Sequence, residues 1–593
     1  MAVDQSPMNK LITEHIDIWT SAVKTKSTSG RGSSKKLELY GIKKLRELIL
    51  ELAVRGKLVP QDPNDEHASV LLERISVEKA KLVKEKKIKK QKDLPAISDD
   101  ELPYLIPENW EWCRLDDICF GITSGSTPPK SSFNESEGIP YLKVYNIRDQ
   151  KVDFDYKPQF VDIESHLTKL KRSCLYPGDV IMNIVGPPLG KVAIISNDYP
   201  EWNCNQAITF FRPIETALNT YIYTYLRAGT FLKAIDLIGT AGQDNISVTK
   251  SRSILLPTPP LKEQHRIVAK VDELMTLCDQ LEQQTEASIE AHQVLVTTLL
   301  DTLTNSADAD ELMQNWARIS EHFDTLFTTE ESIDQLKQTI LQLAVMGKLV
   351  PQDPSDEAAA ELLKRIAEEK AQLVKEKKIK KQKALPPISE DEKPFELPSG
   401  WEWERIGTFG IVGTGATPSR SNPKYWDDPK YNWVSSGETS ELFVNTTKEK
   451  VSELAIQETN VSIYPSGTLI VAMYGQGKTR GQITELTEPA GTNQACAAIQ
   501  LIEKNESHKD FVKLYFRKSY EELRSNAAGG AQPNLNIGKV QSTVIAVPPL
   551  NEQRRINTKV NELLTVCDHL KAHFEAVQST QLHLTDAIVE QAV

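Results

Sequence analysis

The sequence predicts a mixed α+β chain. Two α/β modules are separated by long, antiparallel, coiled-coil-like helices in a pseudo-twofold arrangement. Three observations predict it. Residues 45–112 (LRELILELAVRGKLVPQDP … KEKKIKKQK … WEW) recur without a gap at 336–403, with roughly two-thirds of positions identical. Residues 259–281 (PPLKEQHRIVAKVDELMTLCDQL) recur at 548–570 (PPLNEQRRINTKVNELLTVCDHL). Between these paired boundaries lie two stretches of nearly equal length that resemble each other weakly and carry short β-type runs broken by Gly, Pro and Asn. The predicted division is a conserved helical region 1–103, a first module 104–258, a central conserved helical region 259–394, a second module 395–547 and a C-terminal conserved helix 548–593.

Each element has its own signal. Residues 8–24 read as an amphipathic helix, and 27–36 (STSGRGSSKK) as a flexible linker by composition. The central region lacks this insert: Glu14-His15-Ile16-Asp17 matches Glu321-His322-Phe323-Asp324, with a shorter gap to the next helix. A helix runs to Gly56, which caps it before a VPQDP turn. Another is predicted from about Asp65 through the lysine run, ending before Pro95. In the modules, runs such as IPYLKVYNI, GDVIMNIVG, KVAIIS and AITFFRP, then TLIVAMYG, ACAAIQLIE and STVIAVPP, read as strands. Helical patches fall at 221–233 and 509–524.

Pro259 and Pro260 mark the start of a helix that spans roughly 65 Å if it continues to residue 304. Ile267, Val271, Leu274, Cys278 and Leu281 recur four and three apart, as do Ile556, Val560, Leu563, Cys567, Leu570, Phe574 and Val577. That is a heptad seam, and the sister copy is its obvious partner. Cys278 and Cys567 sit on the seam and read as core residues.

Composition narrows the function. The length suits about four domains. There is no apolar run long enough for a membrane helix and no visible secretory signal. Seven scattered cysteines, none in a matched CxxC pair, fit a reducing cytosol rather than a disulfide framework or a structural zinc site. The net charge of −12 argues against a uniformly basic nucleic-acid binder, but charge is patchy: residues 79–92 carry eight Lys against one Glu, and 370–383 are similar. These lysine runs admit a solvated helix face, partner docking or phosphate contact.

No catalytic constellation is present. There is no NPPY, DPPY, GxGxxG, HExxH or GxSxG signature, and the ten histidines form no ligand cluster in sequence. Residues 472–479 (AMYGQGKT) end like a phosphate-binding loop but have Ala472 where the first glycine belongs. A Gly-rich hairpin tip is the better reading, matched by 186–191 (GPPLGK) in the first module. Amides, hydroxyls and cations at such tips suit a DNA groove, although an ordinary solvated hairpin has the same composition.

The modules share sparse marks in the same order. Gly125-Ser126-Thr127-Pro128 matches Gly415-Ala416-Thr417-Pro418; Asn205-Gln206-Ala207 matches Asn493-Gln494-Ala495; Gln243-Asp244-Asn245 matches Gln532-Pro533-Asn534. Shared residues are poor candidates for sequence discrimination and fit a job such as buttressing a loop; those that differ are better ones. Candidate nucleic-acid contacts in the first module are Thr127, Lys130, Lys143, Asn146, Arg148, Lys191, Gln243 and Asn245. In the second they are Thr417, Arg420, Lys424, Gln476, Lys478, Thr479, Arg480, Gln532 and Asn534.

Over nearly its whole length the chain resembles the specificity subunit of Type I restriction-modification enzymes. The resemblance rests on the paired variable modules, the WEW entries (Trp110-Glu111-Trp112, Trp401-Glu402-Trp403), the GxTP turns and the PPLxEQxRI exits at 259–267 and 548–556. The VPQDP … KKIKKQK block resembles the branch with a long N-terminal conserved region. The resemblance implies that each module is a target recognition domain reading one half of an asymmetric, bipartite site in double-stranded DNA. The conserved helices then set the spacer and dock two DNA adenine methyltransferase subunits. It further implies two motor-nuclease restriction subunits, with S-adenosylmethionine, ATP and Mg used by partners, no cofactor on this chain, no membrane, and a cytoplasmic location. The rival reading is a coiled-coil protein-interaction scaffold without DNA readout.

Overall fold

The computed structural model describes residues 7–26, 36–235, 244–307, 309–474, 479–520 and 535–593. These form two units. The first takes in the described residues up to 287 together with 578–593, and the second takes in those of 288–577. Eight helices carry the argument, four per copy: α1 (Tyr40–Val54), α2 (Ala68–Lys84), α3 (Asn219–Ala228) and α4 (Leu261–Thr304), then α5 (Glu330–Val345), α6 (Ala359–Lys375), α7 (Glu506–Lys518) and α8 (Leu550–Ala592). Residues 261–287 of α4 belong to the first unit and 288–304 to the second; residues 550–577 of α8 belong to the second and 578–592 to the first.

Local chemistry explains the helix ends. Gly56 and Gly347 adopt φ of +71° and +70°, and a Cβ at either would lie within 2.5 Å of Pro107 or Pro398. Only glycine closes these helices against the following turn. The first amphipathic segment breaks at His15 into Pro7–Glu14 and Ile16–Ser21. His322 breaks the central copy with nearly the same backbone angles.

The lysine run departs from expectation. Helices α2 and α6 stop at Lys84 and Lys375, well before the prolines. Lys86 and Lys377 turn left-handed at φ +58° and +59°, and the Lys87 and Lys378 amides close back onto the Leu82 and Leu373 carbonyls. Continuing the helix would stack lysines three and four apart, which is unfavourable. No glycine announces this stop.

The seam is a core, unevenly. Ile267, Val271, Leu274, Cys278 and Leu281 are buried, as are Ile556, Val560 and Cys567. Leu563 and Leu570 are half-buried, and Val577 is exposed. In the second unit Ile556, Val560 and Cys567 share one cluster with Leu336 and Ile340 of α5 and with Val296, Leu300 and Leu303 from the end of α4. Equivalent ion pairs clip each long helix to its neighbour: Arg46 to Asp279 at 2.5 Å in the first unit, Lys337 to Asp568 at 2.7 Å in the second.

Each module adds nine matching strands. In the first they are β1 (Glu111–Arg114), β2 (Thr123–Ser124), β3 (Ile139–Leu142), β4 (Phe160–Val161), β5 (Val180–Asn183), β6 (Val192–Ile194), β7 (Asn203–Cys204), β8 (Ile208–Phe211) and β9 (Leu255–Thr258). In the second they are β10 (Glu402–Arg405), β11 (Gly410–Thr414), β12 (Tyr431–Val434), β13 (Glu449–Val451), β14 (Leu469–Ala472), β15 (Ile483–Leu486), β16 (Ala490–Thr492), β17 (Cys496–Leu501) and β18 (Val544–Val547).

The main sheets run β6-β5-β8-β2 and β15-β14-β17-β11, antiparallel throughout; Phe443–Val444 adds a parallel edge beyond β15. The second sheets run β7-β3-β4 and β16-β12-β13, with one parallel pair each, β7 on β3 and β16 on β12; Phe133–Asn134 adds an antiparallel edge beyond β4 in the first module. Two weakly related sequences therefore make one topology. Antiparallel ribbons β1–β9 and β10–β18 join each module to its helices.

Candidate nucleic-acid interface

The repeated motifs meet at the base of each module. Trp110 and Trp401 are buried, and their indole N–H groups donate to Glu263 at 3.1 Å and Glu552 at 3.0 Å. Gln61 and Gln352, from the VPQDP turns, donate to the other carboxylate oxygen at 2.7 and 2.8 Å. The next glutamines, Gln264 and Gln553, brace the proline pair by donating to Pro259 and Pro548 at 2.8 and 2.7 Å. Asp65 pairs with Arg266 at 2.6 Å, and Asp356 with Arg555 at 2.7 Å. Burial pushes the Glu263 carboxyl above its ordinary range and that of Glu552 up to about 7, against the downward pull of the indole and amide donors. Arg114 and Arg405, both buried, close the other side of the ribbon on Glu101 and Glu392 and on the Ser253 and Ser542 carbonyls. Warped or loose joints would mis-aim whatever the module presents.

The shared marks also meet one another. The Thr127 hydroxyl donates to the Gln206 side chain, and Thr417 donates to Gln494 at 2.5 Å. Tyr141 and Trp433, on β3 and β12, donate to the carbonyls of Ser126 and Ala416 at 2.7 and 3.1 Å. The Asn205 and Asn493 backbone N–H groups donate to the Leu142 and Val434 carbonyls at 3.0 and 3.1 Å. GxTP and NQA are thus two sides of one buttress, with the threonines exposed at its tip. A Cβ at Gly415 would lie 1.5 Å from the Thr492 carbonyl oxygen. Gly415→Ala is expected to lower the stability of the second unit by about 1–3 kcal/mol as backbone is forced apart. An unchanged melting curve would show that the turn does not pack this way.

The variable candidates fall into distinct environments. Arg148 is exposed, paired with Asp153 at 3.1 Å and stacked 4.2 Å from the Tyr156 ring centre. Arg420 is likewise exposed, paired with Glu449 at 2.7 Å and stacked 3.8 Å from Trp426. Either arginine is held flat and must exchange its carboxylate to grip a base or phosphate. Lys143 lies 5.2 Å from the Phe133 ring. Lys130 and Lys424 are exposed.

Asn146 is buried: it accepts from the Lys143 amide at 2.9 Å and donates to the Asp153 and Tyr156 carbonyls. Its side chain is consumed in shaping the loop. Lys191 and Asn245 are half-buried around the β5–β6 turn, where the Lys191 amide donates to Asn183 at 2.6 Å and Asn245 bridges Val185. Thr479 and Arg480 are half-buried before β15. Gln243, Gln476, Lys478, Gln532 and Asn534 lie outside the described residues.

Strand β15 follows the AMYGQGKT segment and runs antiparallel to β14. A phosphate-binding loop needs a helix there, and the predicted hairpin tip at 475–478 lies outside the described residues. Sequence reasoning missed the stacking aromatics Tyr156 and Trp426, although alternation of aromatic and basic residues in KVYNIRDQKVDFDYK and PKYW is the signal that finds them.

Among the described residues no helix is long and apolar enough to cross a membrane. The family described as "Type I restriction modification DNA specificity domain" matches residues 107–291 and 398–576, one match per module with its long helix. The EcoAI specificity subunit of Escherichia coli, a Type I restriction enzyme subunit, is 42% identical over 612 aligned positions, covering 99% of this chain and 100% of its own. The EcoEI specificity subunit of the same organism is 43% identical over 99% of this chain and 100% of its own. Duplicated joints, a shared module topology and end-to-end identity agree, and the chain belongs to the Type I restriction-modification DNA specificity family.

Proposed function

We propose that this chain is the DNA-reading subunit of a Type I restriction-modification complex and does no chemistry itself. The observation that carries the proposal is one nine-strand topology bearing two different surfaces on duplicated joints. Each module reads one half of a bipartite duplex site, and because the surfaces differ, the site is asymmetric. The conserved helices dock two DNA adenine methyltransferase subunits that use S-adenosylmethionine, and two motor-nuclease subunits that use ATP and Mg complete the assembly. Adenine N6 is inaccessible within a stacked duplex, so the methyltransferase flips the base while this chain holds its flanks. The work takes place in the cytoplasm, where the DNA is.

Methylation mapping of DNA exposed to this chain with its methyltransferase tests the reading. A split motif with one modified adenine in each half supports it. A stable, active complex with no motif overturns it in favour of a protein scaffold. The long helices set the spacer: lengthening α4 and α8 by one turn, about 5.4 Å, is expected to widen the unread gap by roughly one to two base pairs at about 3.4 Å each. The half-site sequences stay fixed. An unchanged gap removes the helices from that role.

A further inference from the structure

The duplicated lysine loops have no part in the joints or the module face, and their pattern is specific. After α2, Lys86 and Lys87 are exposed, Ile88 is half-buried, Lys89 and Lys90 are exposed, Gln91 is half-buried and Lys92 is exposed. Residues 377–383 repeat the same order, with Ile379 and Gln382 as the half-buried positions. Gln382 accepts a hydrogen bond from Lys370 at 3.0 Å, and Lys370 also donates to the Gly407 carbonyl at 2.6 Å, which fixes the loop to the second module. In the first unit Arg252 holds the Lys92 carbonyl at 2.9 Å. Anchors at every third position turn the intervening lysines outward.

Most of these cations are uncompensated. Lys87 pairs with Glu85 and Lys378 with Glu376, each at 2.8 Å. Lys86, Lys89, Lys90 and Lys92, and their counterparts Lys377, Lys380, Lys381 and Lys383, form no ion pair among the described residues. Helix-end electrostatics reach Lys86 and Lys377, just past the caps, but not Lys89, Lys90 and Lys92 or Lys380, Lys381 and Lys383, which lie beyond that turn.

We infer that each lysine loop is a sequence-independent clamp on the phosphate backbone of the duplex flanking its module's half-site. This rests on the DNA-reading function proposed above. One argument favours a phosphate backbone over an acidic protein, and a second excludes base reading. The loop KEKKIKKQK offers lysine alone, with no arginine or aromatic, whereas protein interfaces are depleted in lysine and enriched in those residues. The loops are also identical while the modules differ, which contact with a repeating polyanion allows and base reading forbids. In a chain of net charge −12 such local patches supply attraction that the whole molecule lacks.

The test replaces Lys86, Lys89, Lys90 and Lys92 with Gln in the full complex with its methyltransferase, alone and together with the same change at Lys377, Lys380, Lys381 and Lys383. Binding to cognate and to unrelated duplexes is measured against salt. The logarithm of affinity plotted against that of salt is expected to lose roughly 0.9 of slope per phosphate contact removed. The loss should be equal on both duplexes and larger in the doubled variant. The methylated motif and the co-purification of methyltransferase stay unchanged, and lysine-to-arginine replacements retain the slope. An unchanged slope overturns the clamp, as does failure of the methyltransferase to co-purify, which would mark a protein-docking surface. A parent complex that reads no motif refutes the underlying function instead, and is seen before any variant is made.

Discussion

Trp401→Ala is expected to destabilise the second unit by about 3–5 kcal/mol, the range for deleting a buried aromatic from a core. The indole is 4% exposed and fills a corner where four segments converge. Its ring meets Phe511 of α7 edge-on with centres 6.1 Å apart. It crowds the α5 terminus so closely that a Cβ on Gly347 would lie 2.9 Å from it. Its N–H serves Glu552 of α8, and its own backbone leads into β10. Removing it opens a cavity and strips a buried carboxylate of one of two side-chain donors, so packing and polar costs add. For a unit of this size the melting transition should fall by roughly 6–20 °C. Trp401→Phe separates the terms: it keeps most of the packing and loses only the hydrogen bond, for about 1–3 kcal/mol. Trp110→Ala should do the same to the first unit. A Trp401→Ala protein whose transitions all stay within about 2 °C of the parent would show that the corner is not a keystone. Because the joint aims the module, half-site discrimination by the second module should weaken at temperatures where that by the first persists.

That corner shows what the sequence could and could not reveal. WEW, VPQDP and PPLxEQ are visible as motifs because gapless duplication marks them. Their meeting is not visible, since Trp401 and Glu552 lie 151 residues apart and no local periodicity links them. The seam was legible because Ile267 to Leu281 obey heptad spacing, yet spacing says nothing of how much of it finds cover, and Val577 stays exposed. GxTP and NQA could be aligned between modules, but the Thr–Gln bond between them is a product of folding. The helix stop at Lys84 was missed because the left-handed position there is filled by lysine rather than glycine. Residues such as Arg148 and Arg420 were reached by charge alone; only the structure shows each one stacked on a ring and tied to a carboxylate.

Glu552 gives the same joint a pH dependence of definite sign. The side chain is 1% exposed, and burial lifts its folded pKa from the ordinary 4.5 to about 7. Folding therefore favours the protonated acid. The associated stability is fully present below about 4.5 and is lost as pH rises through 7, by an amount on the order of 3 kcal/mol. Glu263 contributes in the same direction in the first unit. Carboxylates tied to arginine act oppositely and elsewhere: Glu392, held down to about 2 by Arg405, contributes stability above its ordinary 4.5 that is lost only as pH falls toward 2. The two windows do not overlap, but the buried His508 imidazole, pushed below its ordinary value by desolvation, acts oppositely between pH 5 and 8, so the decline due to Glu552 is read from the difference between parent and variant. Glu552→Gln should flatten that decline for the second unit whatever its baseline, since an amide cannot ionise. The substitution leaves one of the two donors, Trp401 or Gln352, without an acceptor, so the variant starts less stable at pH 5 and closes the gap by pH 8. Melting curves of parent and variant that run parallel over this range would mean that Glu552 is already ionised in the folded unit, with the two donors and Arg555 outweighing burial.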